Sequence, residues 1–447
     1  MVTQQMVHRP AGGRVLARPS TSLAPRVVIL GGGFAGVNTA LELAKRCRRA
    51  SLPVHITLVS DQNYFLFTPM LAESATGAVE TRHVLYPIRP LCGAWGIEFA
   101  EMRVESIDIE RRRLTARHHR SPVRQQVHFD TLVLALGATP NVTIVPGVAE
   151  HALTFKGVGD AVQIRNRVID LFEAAALTED PWTRRRLLTF VVVGAGHAGT
   201  ELMAALEELT RGILLRHYPS IPQDNVRLVL IGNAVLPQTA TNLAQYTKEQ
   251  LVRRGIELET TRASKVSGDS LTLEDGRIIP SACIIWTAGN RVSPVVADLP
   301  LAKTRDGRVK VNGYFEVEGA RGVRALGDNA AQIDPYTGEL YVQTAQVAIR
   351  QARVLGAQLV AELTGRERQP FRFRLLGEMV PLSRRTAVAD LRGIKLVGFP
   401  AWFMWKTVYM LKLPTLAARI RVILDWTVEL FFERDVSELT VEEERGA

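Results

Sequence analysis

The feature that most constrains the fold is a glycine-rich turn near the N-terminus, between an apolar run and a helical pattern. Residues 27–30 are all aliphatic, and Gly31, Gly33 and Gly36 follow with the spacing Gly-x-Gly-x-x-Gly. In such a strand–turn–helix unit the first glycine permits the turn, the second lets a pyrophosphate approach, and the third lets helix and strand pack closely. The N–H groups at the start of the helix then face the anion. The segment therefore predicts a dinucleotide-binding unit.

The same arrangement occurs a second time, later in the chain. Residues 187–193 form an apolar run, and Gly194, Gly196 and Gly199 repeat the spacing. Two cradles predict two dinucleotides, most economically FAD in one and NADH or NADPH in the other. The sequence therefore predicts an α/β fold with two Rossmann-like dinucleotide-binding domains. The intervening positions of the motifs are also cofactor-binding candidates, namely Phe34, Ala35, His197 and Ala198.

The second strand of each unit lacks the usual acidic end. In many dinucleotide-binding folds an acidic residue there binds the adenosine ribose. The first unit has Ser60 at the strand end and Asp61 after it, and either is a candidate for the ribose. The second unit has Gly232 and Asn233, which are neither acidic nor cationic. The choice between NADH and NADPH stays open, with a slight tilt to NADH, and we expect a glutamate at position 232 to favour NADH.

Three further strand ends return the chain toward the cofactors. Apolar strands end in small residues at Gly137 and at Gly289, as an internal duplication predicts. Another strand ends at Gly327 and Asp328, whose carboxylate could contact a polyol or pyrophosphate, cap a helix starting at Ala330, or do both.

An aromatic segment, residues 63–71, follows the second strand of the first unit. One interpretation is a loop that packs on the first helix. The other is a lid whose Thr68 and Pro69 back a planar cofactor ring.

The chain divides into a tail, two domains and a C-terminal region. The tail is polar and lacks acids, which predicts disorder, with an organellar presequence as the alternative. Residues 178–186 are polar and arginine-rich and are expected to form an exposed linker. The predicted regions are a tail (1–25), a discontinuous FAD-binding domain (26–155 and 300–385), an NAD(P)H-binding domain (156–299) and a membrane-association region (386–447).

Composition restricts the partners. The net charge is +10, but the arginine-rich residues 111–124 lie between strand patterns, as in a solvated hairpin, without the interleaved aromatics of a nucleic-acid site. We therefore exclude nucleic acid and assign the excess charge to an anionic membrane surface. Cys47, Cys92 and Cys283 are far apart, which argues against disulfide chemistry and a metal cluster, and no metal is predicted.

The C-terminal residues 393–432 mix Trp and Tyr with Lys and Arg. Their longest uncharged run, residues 396–405, is far shorter than the roughly 20 residues needed to span a bilayer. Amphipathic helices of this composition indicate an in-plane membrane anchor, with a dimer interface or a core helix as alternatives. The second helix places several apolar residues near one face, namely Leu416, Ile420, Ile423, Leu424 and Phe431, with Arg419 and Arg421 beside them.

Together these motifs resemble those of flavoproteins with two dinucleotide-binding domains, and among them the type II NADH:quinone oxidoreductases. The resemblance covers about residue 26 to about residue 426. Its specific markers are residues 63–69 (Asn-Tyr-Phe-Leu-Phe-Thr-Pro), residues 75–77 (Ala-Thr-Gly), Thr200 with Glu201, and residues 345–351, which begin with Ala345 and Gln346.

The resemblance implies FAD in the first cradle, with Asp328 on the ribityl chain and Thr68 and Pro69 near the isoalloxazine. It implies NADH in the second cradle. It places Glu201 near the nicotinamide and quinone side of the flavin, and Gln346 along a quinone tunnel. The candidate catalytic residues are Glu201, Gln346 and Arg350, and Ala345 and Gln346 are also cofactor-contact candidates.

Three positions depart from the family pattern. Gly232 replaces the usual ribose-binding glutamate, which puts donor choice in doubt. Arg350 stands where many members carry a second tunnel glutamine, which puts the quinone type in doubt. His197 replaces a common proline, and no effect on the chemistry is expected.

The expected activity is NADH oxidation through FAD with two-electron reduction of a membrane quinone, without proton pumping. The alternatives are a reductase of a protein acceptor such as ferredoxin, or an NADH-sensing flavoprotein. The expected location is peripheral, on the cytoplasmic face of a bacterial inner membrane or on an organellar membrane. A homodimer is a further option, and the native quinone stays open.

Overall fold

The computed structural model describes residues 24–383, 385–432 and 434–439. Most of the predicted tail, residues 1–25, lies outside the described residues. The chain forms two compact units of three segments each. The first contains residues up to Phe65, Pro87–Ala138 and Val292–Arg374, and the second contains Leu66–Tyr86, Thr139–Arg291 and residues from Leu375 onward.

The strands are, in chain order, β1 (Arg26–Leu30), β2 (His55–Ser60), β3 (Tyr64–Leu66), β4 (Leu85–Pro87), β5 (Glu98–Glu101), β6 (Arg103–Asp108), β7 (Arg113–Arg117), β8 (Arg124–His128), β9 (Thr131–Leu134), β10 (Ala138–Pro140), β11 (Leu153–Thr154), β12 (Thr189–Val193), β13 (Arg227–Ile231), β14 (Ile256–Glu259), β15 (Ala263–Val266), β16 (Ser270–Leu273), β17 (Ile278–Pro280), β18 (Cys283–Trp286), β19 (Asn290–Val292), β20 (Val309–Val311), β21 (Val323–Ala325), β22 (Ala330–Gln332), β23 (Gly377–Ser383), β24 (Thr386–Leu391) and β25 (Ile394–Gly398). The α-helices are α1 (Phe34–Arg49), α2 (Leu71–Ala75), α3 (Ile88–Gly93), α4 (Val148–His151), α5 (Val158–Leu177), α6 (Pro181–Leu187), α7 (His197–Glu207), α8 (Leu215–His217), α9 (Thr241–Arg253), α10 (Pro294–Ala297), α11 (Ala345–Leu363), α12 (Phe399–Lys412) and α13 (Leu416–Phe431).

The first unit is organised around a five-stranded parallel sheet with the order β21-β9-β1-β2-β5. Its inner strands are runs of Val, Ile and Leu, as expected for a parallel sheet covered on both faces. β1 and β2 pair in register, with Ile29 opposite Leu58. The first glycine turn therefore lies at the carboxyl edge of the sheet, where open α/β sheets bind ligands.

Helix α11 packs directly on α1 in this unit. The close approach occurs at Gly356, where an added Cβ would lie 3.2 Å from the Cβ of Glu42 and 3.3 Å from the amide nitrogen of Leu43. The marker segment at the start of α11 is thus carried by a helix fixed to the first cradle helix.

The arginine-rich segment of the first unit, predicted as a solvated hairpin, is part of a three-stranded meander. β6, β7 and β8 pair in antiparallel order. The carboxylate of Glu105 accepts hydrogen bonds from Arg117 at 2.7 Å and Arg124 at 2.6 Å, so part of the positive charge is neutralised locally.

The second unit repeats the parallel design with the order β11-β18-β12-β13-β14. The antiparallel strands β15, β16 and β17 form a separate sheet in this unit. Phe172 of α5 stacks on Phe190 of β12 in the core, with 6.1 Å between ring centroids. The buried thiol of Cys283 belongs to β18, as expected for a core cysteine, and burial raises its pKa to about 12. The predicted α/β fold with two dinucleotide-binding units is confirmed.

The segment predicted as an exposed linker, residues 178–186, includes a helix instead. α6 begins at Pro181, and the Asp180 carboxylate accepts the backbone N–H of Trp182 and of Thr183. An aspartate cap followed by proline is a strong helix start, and the arginines fall in the last turn, where cations favour the helix dipole. The linker interpretation is therefore wrong, and the segment lies inside the second unit.

The C-terminal part of the second unit is an antiparallel sheet, β23-β24-β25, followed by α12 and α13. The aromatic stretch predicted as helical from residue 393 begins as strand β25. It becomes helical at Phe399, after Gly398 with a φ of +72°. Within the described residues, no helix combines the length and apolar character that crossing a membrane requires.

Candidate functional site

The first cradle has the geometry that its glycines predict. Gly31 adopts a φ of +115°, and its N–H donates to the carbonyl of Val59 over 2.8 Å. A Cβ on Gly31 would collide with the carbonyl of Ala135, and one on Gly36 would collide with the carbonyl of Gly31. A Cβ on Gly33 would project into open space. The turn is closed against the protein at its first and third glycines and open at its second.

The second cradle repeats this geometry. Gly194 has a φ of +117° and donates its N–H to the carbonyl of Ile231 over 2.8 Å. A Cβ on Gly194 or Gly199 would collide with neighbouring atoms, whereas one on Gly196 would meet open space. Helices α1 and α7 follow the open glycines Gly33 and Gly196, neither of which can supply a side-chain cap. Both turns therefore fit a pyrophosphate, which needs close backbone approach and helix N–H donors.

The two ribose candidates of the first unit differ in position. Ser60 is buried against the glycine turn, so that a Cβ on Gly32 would lie 2.5 Å from its Oγ. Its Oγ also accepts the N–H of Gln62 at 3.2 Å. Asp61 is exposed, and its carboxylate lies 3.9 Å from the guanidinium of Arg103. Ser60 thus shapes the turn, while Asp61 presents a carboxylate at the surface.

The turn at Gly327 is held by glutamine side chains. Its N–H donates to Oε1 of Gln351 over 2.8 Å, and Nε2 of Gln351 donates to Oε1 of Gln332 over 3.0 Å. Gly327 has a φ of +73°, and a Cβ there would lie 2.8 Å from that of Ala35. The Gly327–Asp328 turn is therefore fixed beside the first cradle, as the sequence predicted.

Asn329 joins the same turn to β9. Its Oδ1 accepts the N–H of Gly137 at 3.1 Å, and its Nδ2 donates to the carbonyl of Leu134 at 3.1 Å. Gly137 and Gly289 follow β9 and β18 with φ values of +68° and +73°, which agrees with the predicted duplication. The helix proposed to begin at Ala330 does not form. Residues Gly327–Asn329 make a 3-10 turn, and Ala330–Gln332 is strand β22, paired with β20.

Gln346 and Arg350 lie in the first two turns of α11, after Ala345. Thr344 caps this helix by accepting the N–H of Val347 at its Oγ1. Both side chains are partly buried. The guanidinium of Arg350 lies 5.5 Å from the ring centroid of Phe373, a cation–π contact that fixes its direction.

The aromatic segment agrees in part with both of its interpretations. The ring of Phe65 packs edge-on against Phe34 of α1, with 4.8 Å between centroids, as the loop interpretation predicted. Thr68 and Pro69 form a 3-10 turn with Met70 in the second unit. Their contact with a flavin ring stays a prediction.

Gly232 has no room for a side chain. It ends β13 close to the second cradle, and its N–H donates to the carbonyl of Glu259 at 2.9 Å. A Cβ on Gly232 would lie 2.6 Å from the Cβ of Ala195 and 2.9 Å from its amide nitrogen. A side chain at this position would therefore require the end of β13 or the second cradle to move, and the effect of a glutamate there on donor choice stays a prediction.

Two carboxyl groups of the second unit hold protons near neutral pH. Burial raises the pKa of Glu201 on α7 to about 8, the charge of His197 lowers it, and that of Glu73 raises it. Burial likewise raises the pKa of Glu73 on α2 to about 7, against the opposing charge of Lys406. Burial and the charge of Glu201 together raise the pKa of Tyr409 on α12. Burial is thus the main cause of all three raised pKa values in this cluster.

Lys406 belongs to this cluster rather than to a membrane surface. Its side chain is buried, and its Nζ lies 4.8 Å and 4.3 Å from the ring centroids of Trp402 and Trp426. The same nitrogen lies 3.8 Å from Glu73 and 3.6 Å from Glu429. Two acidic side chains and two indole rings therefore surround this ammonium group in place of water.

Further ion pairs attach α13 to the unit. Arg434 pairs with Glu429 and, at 2.8 Å, with Glu208. The His83 ring nitrogen Nδ1 lies 2.6 Å from the carboxylate of Asp425. Helix α13 and Arg434 are thus packed parts of the second unit.

These cradles define a class of protein that binds two dinucleotides, and comparison with known proteins identifies it. Residues 25–352 match the family model described as pyridine nucleotide-disulphide oxidoreductase, so the chain belongs to that family. Residues 377–435 match the NDH2 C-terminal domain. Within the family the chain lies among the type II NADH:quinone oxidoreductases, which confirms the sequence-based assignment and the FAD and NADH cofactors that it implies.

Two relatives are similar over nearly the whole chain. The demethylphylloquinone reductase NdbB of Synechocystis sp. is 30% identical over 410 residues, 91% of this chain and 96% of the relative. The type II NADH:quinone oxidoreductase Ndh of Mycobacterium tuberculosis is 31% identical over 440 residues, 94% of this chain and 91% of the relative. The solved structure of NDH2 from Plasmodium falciparum in complex with NADH has a TM-score of 0.85 at 19% identity, covers 92% of this chain and 99% of that one, and supports the fold.

Sequence reasoning missed four residues that shape the site. Glu73 stands two residues before the Ala-Thr-Gly marker, so it lies beside a recognised segment, and Gln351 ends the α11 marker, so it lies within one. Lys406 was visible only as a lysine four residues after Trp402 in an aromatic helix. Asn329 follows Asp328 directly and gave no separate signal.

Proposed function

We propose that this chain oxidises NADH by hydride transfer to FAD and passes two electrons to a membrane quinone. The observation that carries the proposal is the pair of cradles, each open only at its second glycine. The printed names of the relatives, which include NADH:quinone oxidoreductase and demethylphylloquinone reductase, support the direction of electron flow. FAD, when bound, accepts a hydride from reduced nicotinamide and returns electrons to an acceptor.

The residues proposed to hold FAD belong to the first unit. The open face of Gly33 and the first N–H groups of α1 suit the pyrophosphate. The carboxylate of Asp328 would accept hydrogen bonds from hydroxyl groups of the ribityl chain. Its position is defined because Gln351 and Asn329 fix the turn that carries it. Asp61 is our candidate for the adenosine ribose, since Ser60 is buried within the turn.

The residues proposed to hold NADH belong to the second unit, with Gly196 and α7 at the pyrophosphate. NADPH would need a cation for its additional phosphate. Arg277, close to the end of β14, is bound by Glu259 at 2.7 Å and by Asp275 at 2.7 Å. Two carboxylates thus neutralise the charge of Arg277, so this side chain is not free to bind the additional phosphate of NADPH. This favours NADH over NADPH.

Reduction of a quinone to a quinol consumes two protons as well as two electrons. We assign proton delivery to Glu201, because a general acid works best with a pKa near the working pH and this one titrates at about 8. Gln346 and Arg350 on α11 are proposed to contact the quinone. The stacking of Arg350 on Phe373 would present its N–H groups at a fixed angle to a quinone carbonyl.

We further propose that α13 rests on the membrane surface through its apolar face. The predicted residues Leu416, Ile420, Ile423, Leu424 and Phe431 are all exposed, with Leu416 at 70% and Phe431 at 78%. Their spacing is that of one face of a helix, and Arg421 beside them is exposed as well. A lipid-dissolved quinone requires an enzyme at the membrane, so the anchor and the chemistry support each other.

The side of the membrane on which the protein lies is inferred from where its electron donor, NADH, is available. We propose the cytoplasmic face of a bacterial inner membrane, or the equivalent organellar face, because NADH is available there. The exposed apolar face of α13 is also the surface through which a homodimer would form in the absence of lipid.

Steady-state turnover tests the function. FAD-loaded protein, incorporated on vesicles, should oxidise NADH only when a quinone is present, with one quinol formed per NADH. Oxidation that depends on an added ferredoxin but not on quinone would instead support the protein-acceptor reductase. Binding of NADH without turnover would support the sensor.

A further inference from the structure

His197 is held by two other elements of the second unit. It is the first residue of α7, and its Nε2 lies 3.0 Å from Oε2 of Glu378 on β23. Thr239 donates its hydroxyl to the same carboxylate oxygen at 2.9 Å. The nucleotide-cradle helix is therefore attached at its first residue to the C-terminal sheet.

The geometry favours an imidazolium–carboxylate pair. Glu378 is partly buried, yet its pKa is lowered, because hydrogen bonds from His197, Thr239 and the Ala240 backbone outweigh desolvation. Burial alone would lower the pKa of His197, but the hydrogen bond with Glu378 and the charge of Glu201 raise it instead. A cation at a helix N-terminus opposes the helix dipole, so Glu378 is the group that stabilises this charge.

His197 and Glu201 stand four residues apart on α7, so their side chains share one face of the helix. From the other elements, Glu73 of α2 opposes ionisation of Glu201, and Tyr409 of α12 would oppose it if deprotonated. The ammonium of Lys406, also on α12, is engaged by Glu73 and Glu429. Among the described charged groups that act on Glu201, His197 is the one that favours its ionised form.

We propose that His197, held by Glu378, is a positioning residue that sets the protonation state of Glu201 and thereby the pH range of turnover. The second half of this inference rests on the proposed role of Glu201 in quinone reduction. The first half does not, because it concerns only charges within the second unit. Removal of the charge at position 197 should therefore raise the pH at which Glu201 loses its proton.

The test uses the FAD-loaded full chain and its His197→Gln, His197→Lys and Glu378→Gln variants, with His151→Gln as a control at an exposed histidine. Infrared spectra across pH report the carbonyl band of protonated Glu201, assigned by its loss in Glu201→Gln. The midpoint of this band should move to higher pH by a few tenths of a unit in His197→Gln. It should return toward the wild-type value in His197→Lys, which restores the charge.

Glu378→Gln should raise the same midpoint, because His197 then loses its proton more readily. Added to His197→Gln, it should produce no further rise, which a purely structural role of Glu378 would not explain. The alkaline limb of the pH profile for flavin reoxidation by a short-chain quinone should follow the infrared midpoint in every variant.

An unchanged infrared midpoint in a folded His197→Gln variant would overturn the proposal. If the infrared midpoint moves while the pH profile of flavin reoxidation stays fixed, His197 does act on Glu201. The proposed role of Glu201 in turnover would then be wrong. Flavin content and circular dichroism of each variant identify folding defects. If His197→Gln folds poorly, Glu378→Gln keeps the test decisive, because an unchanged midpoint in that variant would also overturn the proposal.

Discussion

The ammonium group of Lys406 lies 3.8 Å from the carboxylate of Glu73, inside the second unit and between two indole rings. This contact joins a helix of the C-terminal region to α2, just before the Ala-Thr-Gly marker. A lysine in an aromatic, apolar helix thus fixes that helix to the protein, while the face of α13 that carries Leu416, Ile420 and Leu424 remains exposed.

Replacing Lys406 by methionine should destabilise the protein by about 2–4 kcal/mol at pH 8, because Glu73 and Glu429 would lose a buried partner. The loss should shrink at pH 5, because the pKa of Glu73 is raised to about 7 and its protonated carboxyl group needs no cation. Urea unfolding at the two pH values measures both effects. Lys248→Met, at an exposed lysine of α9, is the matched control and should change little.

Replacing Glu201 by glutamine should stabilise the protein at alkaline pH. The folded-state pKa of about 8 lies above that of an unfolded glutamate. Glu201 therefore contributes its full stabilisation below the pKa of an unfolded glutamate, which is about 4.3. This stabilisation is lost as the pH rises through the pKa of Glu201 in the folded protein. The urea midpoint of Glu201→Gln should exceed that of wild type at pH 9 and approach it at pH 5. A similar gain in Glu150→Gln, at an exposed helix position, would contradict this explanation.

The two glycines of the first cradle should fail in different ways when changed to alanine. Gly33→Ala should fold normally but lose FAD affinity by about tenfold or more, because its methyl group enters the space assigned to the pyrophosphate. Gly36→Ala should lower the stability of the apoprotein by about 1–3 kcal/mol, since its methyl group collides with the carbonyl of Gly31. Flavin content and thermal unfolding separate the outcomes, and equal behaviour of the two variants would refute the assignment.

Gly232→Ala should weaken NADH binding and stability together. The added Cβ has Ala195 within 2.6 Å, so either the end of β13 or the second cradle must move. The cost should be about 1–3 kcal/mol. Gly159→Ala in α5, where the Cβ meets open space, is the control and should be neutral or slightly stabilising. Titration with NADH under anaerobic conditions gives the affinities.

Charged substitutions on the apolar face of α13 should release the protein from lipid. Ile420→Asp combined with Leu424→Asp should weaken binding to anionic vesicles roughly a hundredfold or more, since each apolar side chain contributes about 1.5–3 kcal/mol when buried. Turnover with a water-soluble quinone should persist. Leu177→Asp combined with Leu363→Asp changes exposed leucines elsewhere, and loss of sedimentation with that pair would show that general charge, not this face, controls binding.

Local patterns predicted the two cradles well, because their geometry depends on glycines a few residues apart and on a strand and a helix adjacent in sequence. The apolar face of α13 was predictable for the same reason. The cap of α6 is also a local signal, because Asp180 and Pro181 predict a helix start. The arginine-rich composition after them favours an exposed linker instead, and that interpretation was wrong.

The environment of Lys406, the contact of His197 with Glu378, and the crowding at Gly232 could not be predicted from local patterns. Each depends on residues far apart in the chain that the fold brings together. Burial of Lys406 requires carboxylates from α2 and α13, and the absence of a side chain at position 232 is explained only by the position of Ala195.

Stopped-flow spectroscopy of the FAD-loaded protein tests the central claim most directly. NADH should bleach the flavin absorbance within the time of a single turnover and faster than NADPH at equal concentration, and ubiquinone or menaquinone analogues should restore the absorbance at a rate that accounts for steady-state turnover. A flavin that NADH does not reduce, or that quinones do not reoxidise, would contradict the account.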